Sequence, residues 1–394
     1  MADDDQNSFL SDQSDSGGVD SFVEETSTGW LSRIGRSLVG VLVGLVGIVV
    51  AIGVLYWNEG RAVEAATALQ EGAGTVISTP ARPLDAAKEG RLVHVVGSAE
   101  AVMPARDPVL GVGAPGLLRL RRAVETFQWK EETRTQTTTE LGGSERTRTI
   151  YEYSKVWSET PISSDGFRIV AGHVNPKPSL RTLDVTAPDA RLGDFRLAPA
   201  LITQLDDFQP LPAETVDLSS RGFRPVDSGF YRGNDPANPR IGDMRLHFEA
   251  VSGQPVTVVA GQISGELVPF NTSNGYEIAL ISPGTKPAAA LFKAAQQDEA
   301  LLTWILRAAG FIGMLICLSM LFQPLAVLVS VLPFLEPVVG AGVFMVSLVL
   351  AIPLTLLTIA VAWFAHRPLY GAILIIAGVI GPLAISRLVK RKAA

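Results

Sequence analysis

Four long stretches of the chain are apolar and contain no Asp, Glu, Lys or Arg: residues 37–57, 308–335, 338–366 and 368–386. An uncharged apolar run of about 18 residues or more is long enough to cross a bilayer as a helix. The pattern predicts four transmembrane helices, at about 37–57, 305–323, 339–364 and 368–387. The piece at 324–338 is interrupted by Pro324 and Pro333 and is too short to cross, so we expect an interfacial or re-entrant segment there.

Residues 58–304, between the first two apolar runs, show mostly strand-like patterns. Apolar and polar residues alternate through 244–250, and short β-branched runs are bounded by Gly and Pro. The sequence therefore predicts an α+β membrane protein, in which four transmembrane helices carry a large β-rich extracytoplasmic domain between the first and the second.

A long hairpin is predicted around the two glycines at 142–143. Its arms carry Phe127 and Trp129 on one side of the turn and Tyr151, Tyr153 and Trp157 on the other. All five positions are odd, so a register whose paired numbers have an even sum places the rings on one face. Such a stripe is more often core than a binding platform, although a platform stays open.

The two ends of the chain differ in charge. Residues 1–36 are rich in Asp, Glu, Ser and Gln, and this composition predicts a disordered tail. Arg33 and Arg36 precede the first apolar run, and basic residues follow the last one at 387–392, so we expect both termini to be cytoplasmic. Residues 388–394 would then be a basic cytoplasmic tail. The first run is long and has an acidic leader, which favours a retained anchor over a cleaved signal.

Composition narrows the function classes. Charged residues make up 18% of the chain, against about 25% in a typical soluble protein. The net charge of −6 gives no nucleic-acid footprint, and a lone Cys317 provides neither an intrachain disulfide nor a cysteine zinc site.

Candidate chemistry is sparse. No zinc-protease, serine-hydrolase or phosphate-loop motif is present, so we expect no catalytic residues, and neither a cofactor nor a metal. The four histidines, His94, His173, His247 and His366, are scattered, although folding could bring His94 and His247 together. A hydrolase built on the first three has only residue types behind it.

The predicted spans contain small residues instead of charges. Gly40, Gly44 and Gly47 share one face of the first span, a spacing that permits close helix packing. Packing within one chain and homo-oligomerisation explain this face equally well. The absence of ionisable side chains favours an anchor over an ion-coupled transporter.

The residues at the foot of the first span are the strongest site candidates. Trp57 is expected at the membrane interface, and Glu59 and Arg61 lie where the domain meets the bilayer, within reach of Arg307 or Glu64. Their simplest interpretation is that of interface anchors with no partner-specific role.

Several ordered blocks, taken together, resemble the transmembrane protein 43 (LUMA) family. They are NEGRA at 58–62, EGRLVH at 89–94, LRR at 120–122 with VE at 124–125 and QW at 128–129, GH at 172–173 with NP at 175–176, GD at 242–243, LVPF at 267–270, LRAAG at 306–310, LTLLT at 354–358 and RPL at 367–369. The resemblance runs nearly end to end and implies a four-pass protein that self-associates and organises membrane protein complexes.

The functional hypothesis is therefore a non-enzymatic membrane scaffold. Its expected partners are the lipid bilayer, other membrane proteins and further copies of itself, with no nucleic acid. The alternative is a channel or transport accessory subunit, suggested by the bundle of small-residue helices together with the possible re-entrant segment. The resemblance implies the endoplasmic reticulum and inner nuclear membrane for a eukaryotic source, whereas a prokaryotic source would mean the bacterial inner membrane.

Overall fold

The computed structural model of the chain describes residues 10–12, 20–212, 216–226 and 229–366. Among these residues the α-helices are α1 (Trp30–Thr75), α2 (Pro199–Ile202), α3 (Ala288–Val329) and α4 (Glu336–His366). Three of them, α1, α3 and α4, are long and apolar enough to cross a membrane. The fourth predicted span, 368–387, and the basic tail, 388–394, lie outside the described residues.

Helix α1 is continuous across a change in composition. Its first part holds the uncharged run at 37–57, and its second part, rich in Ala, Glu and Gln, continues as helix to Thr75. Good helix formers and the absence of proline allow the segment that leaves the apolar run to remain helical. The helix therefore projects well beyond the length needed for a bilayer of about 30 Å.

Helix α3 differs from the prediction. It runs through Pro324 to Val329, and α4 begins at Glu336 after a tight turn, so no separate segment forms at 324–338. A proline inside a helix removes one backbone hydrogen bond, and neighbouring helices in a bundle tolerate that loss. The sequence pattern places a break at Pro324 because it takes no account of this packing.

The domain is built from short and long strands. In chain order they are β1 (Leu10–Asp12), β2 (Asp20–Thr28), β3 (Ile77–Pro80), β4 (Leu92–Met103), β5 (Leu117–Thr139), β6 (Glu145–Ser158), β7 (Leu183–Thr186), β8 (Asp189–Leu192), β9 (Phe195–Leu197), β10 (Gln209–Leu211), β11 (Arg224–Val226), β12 (Gly229–Arg232), β13 (Met244–Ser252), β14 (Gln254–Ile263), β15 (Glu266–Val268), β16 (Phe270–Asn271), β17 (Glu277–Ile278) and β18 (Leu280–Pro283).

Two large sheets organise these strands within the described residues. The first has the order β1-β2-β6-β5-β13-β12-β11, with β10 also paired to β13 and β7 to β5. The second has the order β18-β14-β15-β9-β8-β4-β3, and a further pairing of β14 with β4 closes a ring of strands. The domain is thus β-rich, as the sequence predicts, and helices and strands together form a mixed α+β fold.

The helices join the domain through a small apolar core. Leu69 of α1 and Leu291 and Phe292 of α3 pack with Leu92 and Val259 of the second sheet. A larger core fills the ring of strands, and another lies under the first sheet. Burial of these apolar side chains fixes the domain-side ends of α1 and α3 to the domain.

The predicted hairpin is formed by β5 and β6. Phe127 pairs with Trp157 and Glu131 with Tyr153, which is the even-sum register. At the turn, Gly142 and Gly143 have φ of +94° and +82°, a backbone region that glycine occupies without strain. The backbone N–H of Gly142 donates to the carbonyl oxygen of Val331. The hairpin therefore reaches from the domain to the far end of the helices.

The N-terminal segment differs from the predicted disordered tail over 1–36. Residues 1–9 and 13–19 lie outside the described residues, but Asp20–Thr28 forms β2 and pairs antiparallel with β6, from Asp20 opposite Tyr153 to Thr28 opposite Glu145. Thr, Val and Phe in this segment suit a strand, and β6 supplies the hydrogen-bonding edge that overall composition does not reveal.

This pairing bears directly on membrane sidedness. The sequence places 1–36 and 58–304 on opposite sides of the membrane, whereas β2 and β6 lie side by side. A bilayer around residues 37–57 that also enclosed the ribbon of β2, β5 and β6 would bury Arg134, Arg148 and Glu152. Each arginine at its centre would cost about 2.5–3.5 kcal/mol. If the bilayer crosses both α1 and the ribbon, the predicted placement of 1–36 and 58–304 on opposite sides of the membrane is therefore incompatible with the observed pairing of β2 with β6.

Candidate functional site at the foot of the helices

Glu59 is the centre of a buried polar junction between three helices. Its side chain is 2% exposed. The Nε and one terminal nitrogen of Arg307 donate to its two oxygens at 2.6 and 2.7 Å. The indole N–H of Trp363 donates to the same carboxylate at 2.6 Å. One carboxylate on α1 thus holds both α3 and α4.

Local sequence explains how these groups meet. Glu59 follows the first apolar run by two residues, and Arg307 precedes the second run by one, so both lie at the same boundary of antiparallel helices. A bidentate arginine–carboxylate pair is among the stronger ionic contacts in proteins. The pair of Glu59 with Arg307 was one of the two that the sequence suggested for these end residues.

Arg61 forms a second polar contact one turn away. Its guanidinium pairs with Glu299 and donates to the hydroxyl of Thr303 at 3.2 Å. Asn58 donates to the backbone carbonyl of Thr303 at 3.2 Å, and the hydroxyl of Tyr276 donates to Glu299 at 3.2 Å. Arg61 therefore pairs with α3 and not with Glu64, whose side chain is exposed.

The environment shifts the ionisation of Tyr276. Burial raises the pKa of this phenol, and the nearby Glu299 carboxylate raises it further. The neutral hydroxyl is therefore the form that donates to Glu299, which keeps the carboxylate, the phenol and Arg61 in one network.

Glycine permits the third helix to approach. A Cβ placed on Gly60 would lie 2.9 Å from two ring atoms of His366 on α4. The ring of Tyr56 lies 5.1 Å from the same imidazole, between centroids. Trp57, in contrast, is 59% exposed and faces away from the junction. Of the predicted interface residues, Glu59 and Arg61 thus contact α3, whereas Trp57 is exposed.

Beside the junction, α1 and α3 enclose a cavity of about 230 Å³. Ala62, Ala66, Ala300, Trp304 and Arg307 contribute to its wall. The guanidinium of Arg307 lies 4.9 Å from the ring centroid of Trp304. Arg307 is already paired with Glu59, so at this site its side chain joins α3 to α1.

The three glycines that the sequence places on one face of α1 differ in their neighbours. A Cβ on Gly44 would lie 2.7 Å from the carbonyl oxygen of Cys317, and Gly47 faces the thiol of the same residue. At Gly40 no atom of the part of the chain that the structure describes lies within 4 Å of such a Cβ. Two of the three predicted packing glycines therefore serve the α1–α3 contact within the chain.

A second polar cluster, at the opposite end of the helices, carries no motif that sequence reasoning could find. Arg33 is 6% exposed and donates to the carbonyl of Gly143 at 2.7 Å and to the hydroxyl of Ser330 at 2.9 Å. It forms ion pairs with Glu145 at 2.9 Å and Glu336 at 2.6 Å. The sequence shows Arg33 only as an orientation signal, because its partners are more than 100 residues away.

The histidines do not assemble. His94 contacts Ser78 and the carbonyl of Lys286, His173 stacks on Tyr153 at 3.9 Å, and His247 is exposed near Glu249. His94 belongs to the second sheet and His247 to the first. Among the described residues no group of three or more His, Cys, Asp or Glu is placed to hold a metal ion.

The comparisons with known proteins that give a match all point to the same family. A family profile described as Transmembrane protein 43 matches residues 126–368. Transmembrane protein 43 of Homo sapiens is 33% identical over 377 residues, covering 91% of this chain and 92% of the human protein. The Rattus norvegicus protein of that name is 33% identical over 363 residues, covering 88% of this chain and 89% of its own length. A Drosophila melanogaster homolog is 32% identical over 346 residues, covering 82% and 88%. No solved structure matches.

Proposed function

This chain belongs to the transmembrane protein 43 family, and on that premise we propose that it is a non-enzymatic membrane scaffold, which organises membrane protein complexes through its β-rich domain and by self-association. The three long apolar helices found among the described residues are those of a membrane protein. The proposal concerns what the β-rich part of the chain does.

The observation that carries the proposal is an exposed ribbon on a rigid base. In β5, residues 132–138 are exposed on both faces, and Leu141 at the tip is 84% exposed. The domain is held to the helices by the apolar core of Leu69, Leu291 and Phe292 with Leu92 and Val259. A polar strand surface on an anchored body suits recognition of other proteins, because backbone position is fixed before contact.

Self-association and partner capture are tested in one experiment. The full chain in native membranes is lightly crosslinked, extracted and analysed for homo-oligomers and captured membrane proteins. We expect both, and we expect Arg134→Ala with Glu132→Ala on the ribbon to reduce them. Arg191→Ala, an exposed arginine on β8, is the matched control. Recovery of monomer alone from the unaltered chain would overturn the proposal.

The channel alternative had two motivations, a small-residue helix bundle and a possible re-entrant segment at 324–338. The second is weaker in the structure, because α3 continues to Val329 and a short turn leads to α4. The junction residues Glu59 and Arg307 are also paired with each other. Single-channel currents from purified protein in planar bilayers would revive this alternative.

The proposal includes cytoplasmic placement of both termini, on the evidence of Arg33, Arg36 and the basic residues at 387–392. The pairing of β2 with β6 opposes it. Cysteines at Ser21 and Thr285, in a Cys317→Ala background, decide the matter by labelling with a membrane-impermeant reagent. Labelling from opposite sides supports the proposed sidedness, and labelling from one side overturns it.

A further inference from the structure

A cavity of about 340 Å³ lies between α1 and α3 at the end remote from the domain. Arg36, Ser37 and Gly40 line it from α1, and Met320 and Gln323 line it from α3. No atom of the described residues lies within 4 Å of a Cβ placed on Gly40, so among them the absence of a side chain there leaves the space open. The two helices touch closely at Gly44, one turn further along, and separate here.

The charges around this cavity are not equivalent. Arg33 and Glu145 also line it, but Arg33 is buried and pairs with both Glu145 and Glu336. Arg36 is exposed, and its guanidinium donates to the hydroxyl of Thr28 at 3.0 Å. Within the part of the chain that the structure describes, Arg36 forms no ion pair. Among the described residues it is therefore the cation at this cavity that has no ion-pair partner.

The position of the cavity relates it to the lipid headgroups. Arg36 directly precedes the uncharged run that starts at residue 37, and Gln323 is the polar side chain on the facing part of α3. Leu38 and Val39, which follow on α1, are 55% and 60% exposed. A basic pocket between helices at such a boundary offers a site to an anionic headgroup, with apolar surface beside it for acyl chains.

We propose that this cavity binds the phosphate headgroup of an anionic phospholipid. The guanidinium of Arg36 pairs with the phosphate, and the amide of Gln323 donates a second hydrogen bond. The acyl chains lie along Leu38 and Met320. The proposal does not depend on the scaffold role.

The test is lipid retention by the full chain in mild detergent, measured by native mass spectrometry after incubation with equal amounts of phosphatidylglycerol and phosphatidylcholine. We expect phosphatidylglycerol to be preferred, and Arg36→Gln to lower the preference about fivefold, the effect of one basic residue at a membrane surface. Arg36→Lys should keep most of it, because the positive charge stays. Gln323→Leu should weaken it without changing the charge.

Arg191→Gln is the control, since it removes an exposed arginine on the domain. Equal loss in Arg36→Gln and Arg191→Gln would overturn the site in favour of general charge attraction. Unchanged preference in Arg36→Gln would overturn it outright. Displacement of the lipid by glycerol phosphate at the same concentration would identify a soluble phosphate, and not a lipid, as the occupant. Circular dichroism of every variant confirms that loss of binding is not loss of fold.

Discussion

The most consequential single residue in the structure is Glu59. Its buried carboxylate receives three hydrogen bonds, two from Arg307 and one from Trp363. Removing one partner of a buried ion pair leaves the other charge uncompensated, and this is more costly than losing an exposed pair. The junction between α1, α3 and α4 therefore depends on one side chain on α1.

We expect Glu59→Gln to lower the free energy of unfolding by about 3 kcal/mol, because Arg307 would stay largely removed from solvent without the carboxylate of Glu59. The measurement is the midpoint of denaturant unfolding of the full chain in micelles. Glu64→Gln, five residues along the same helix and exposed, should change it by less than about 0.5 kcal/mol. Equal effects of the two substitutions would contradict the buried junction.

Tyr153 gives the structure a pH dependence in the alkaline range. Its hydroxyl donates to Glu131 at 2.6 Å and accepts from the backbone of Ile169 at 2.8 Å. Burial, together with the hydrogen bond to Glu131, raises the pKa of this tyrosine to about 12. The ordinary value is 10.0, so the folded state favours the neutral phenol.

The stabilisation from Tyr153 is therefore complete below pH 10 and is lost as pH rises from 10 to 12. We expect the unfolding midpoint to fall over this interval and to fall less in Tyr153→Phe, which has no ionisable hydroxyl. Thermal unfolding followed by near-ultraviolet circular dichroism at several pH values measures both. Parallel curves for the two proteins would show that Tyr153 does not contribute.

At the scale of elements, the contact between α1 and α3 depends on glycine. Gly44 faces the backbone carbonyl of Cys317, which cannot rotate away as a side chain can. We expect Gly44→Val to destabilise the full chain by about 1–3 kcal/mol, the usual cost of overpacking. Gly53→Val, at a position where no described residue lies within 4 Å, should have little effect on the same unfolding midpoint. A large effect at Gly53 alone would point to an interface with another chain.

The pairing of β2 with β6 is also directly testable. Thr26 lies opposite Thr147, and Thr137 lies opposite Thr147 on the other side of β6. In a Cys317→Ala background, we expect cysteines at 26 and 147 to form a disulfide in detergent, and cysteines at 26 and 137, two strands apart, to form much less. No disulfide at 26 and 147 in detergent would contradict the pairing. Formation in detergent but not in membranes would show that the bilayer separates the two strands.

At the scale of the whole molecule, stability is distributed unevenly. Val93, Val95, Val256 and Val258 are fully buried in the ring of strands, whereas residues 132–138 are exposed on both faces. Backbone amides with few buried contacts open more readily. We expect hydrogen exchange of the full chain to be slow at 93–99 and 254–260 and fast at 132–138. Uniform protection would mean that a partner or a second copy covers the ribbon.

Much of the fold follows from local pattern. The even-sum register of the hairpin was predictable because the aromatic residues share one parity and two glycines mark the turn. The contact of Glu59 with Arg307 was predictable because both residues stand at ends of apolar runs. In each case the information lies within a few residues of the element concerned.

The errors have a common cause as well. The composition of Asp20–Thr28 predicts a polar tail, but the segment forms a strand because it pairs with the edge of β6. Pro324 predicts a helix end, but neighbouring helices support the continuation of α3 through it. Trp363 and Arg33 carry no sequence signal for their buried partners. Such contacts join residues hundreds of positions apart, and composition cannot report them.

The sequence by itself determined that this is a membrane protein with long apolar helices and a β-rich domain, because burial of uncharged runs in lipid and the periodicity of strands are properties of short segments. Only the tertiary structure decided which charges are buried together, which glycines face a neighbour and where the N-terminal strand lies. Those outcomes depend on the distances between segments, which the folded chain alone establishes.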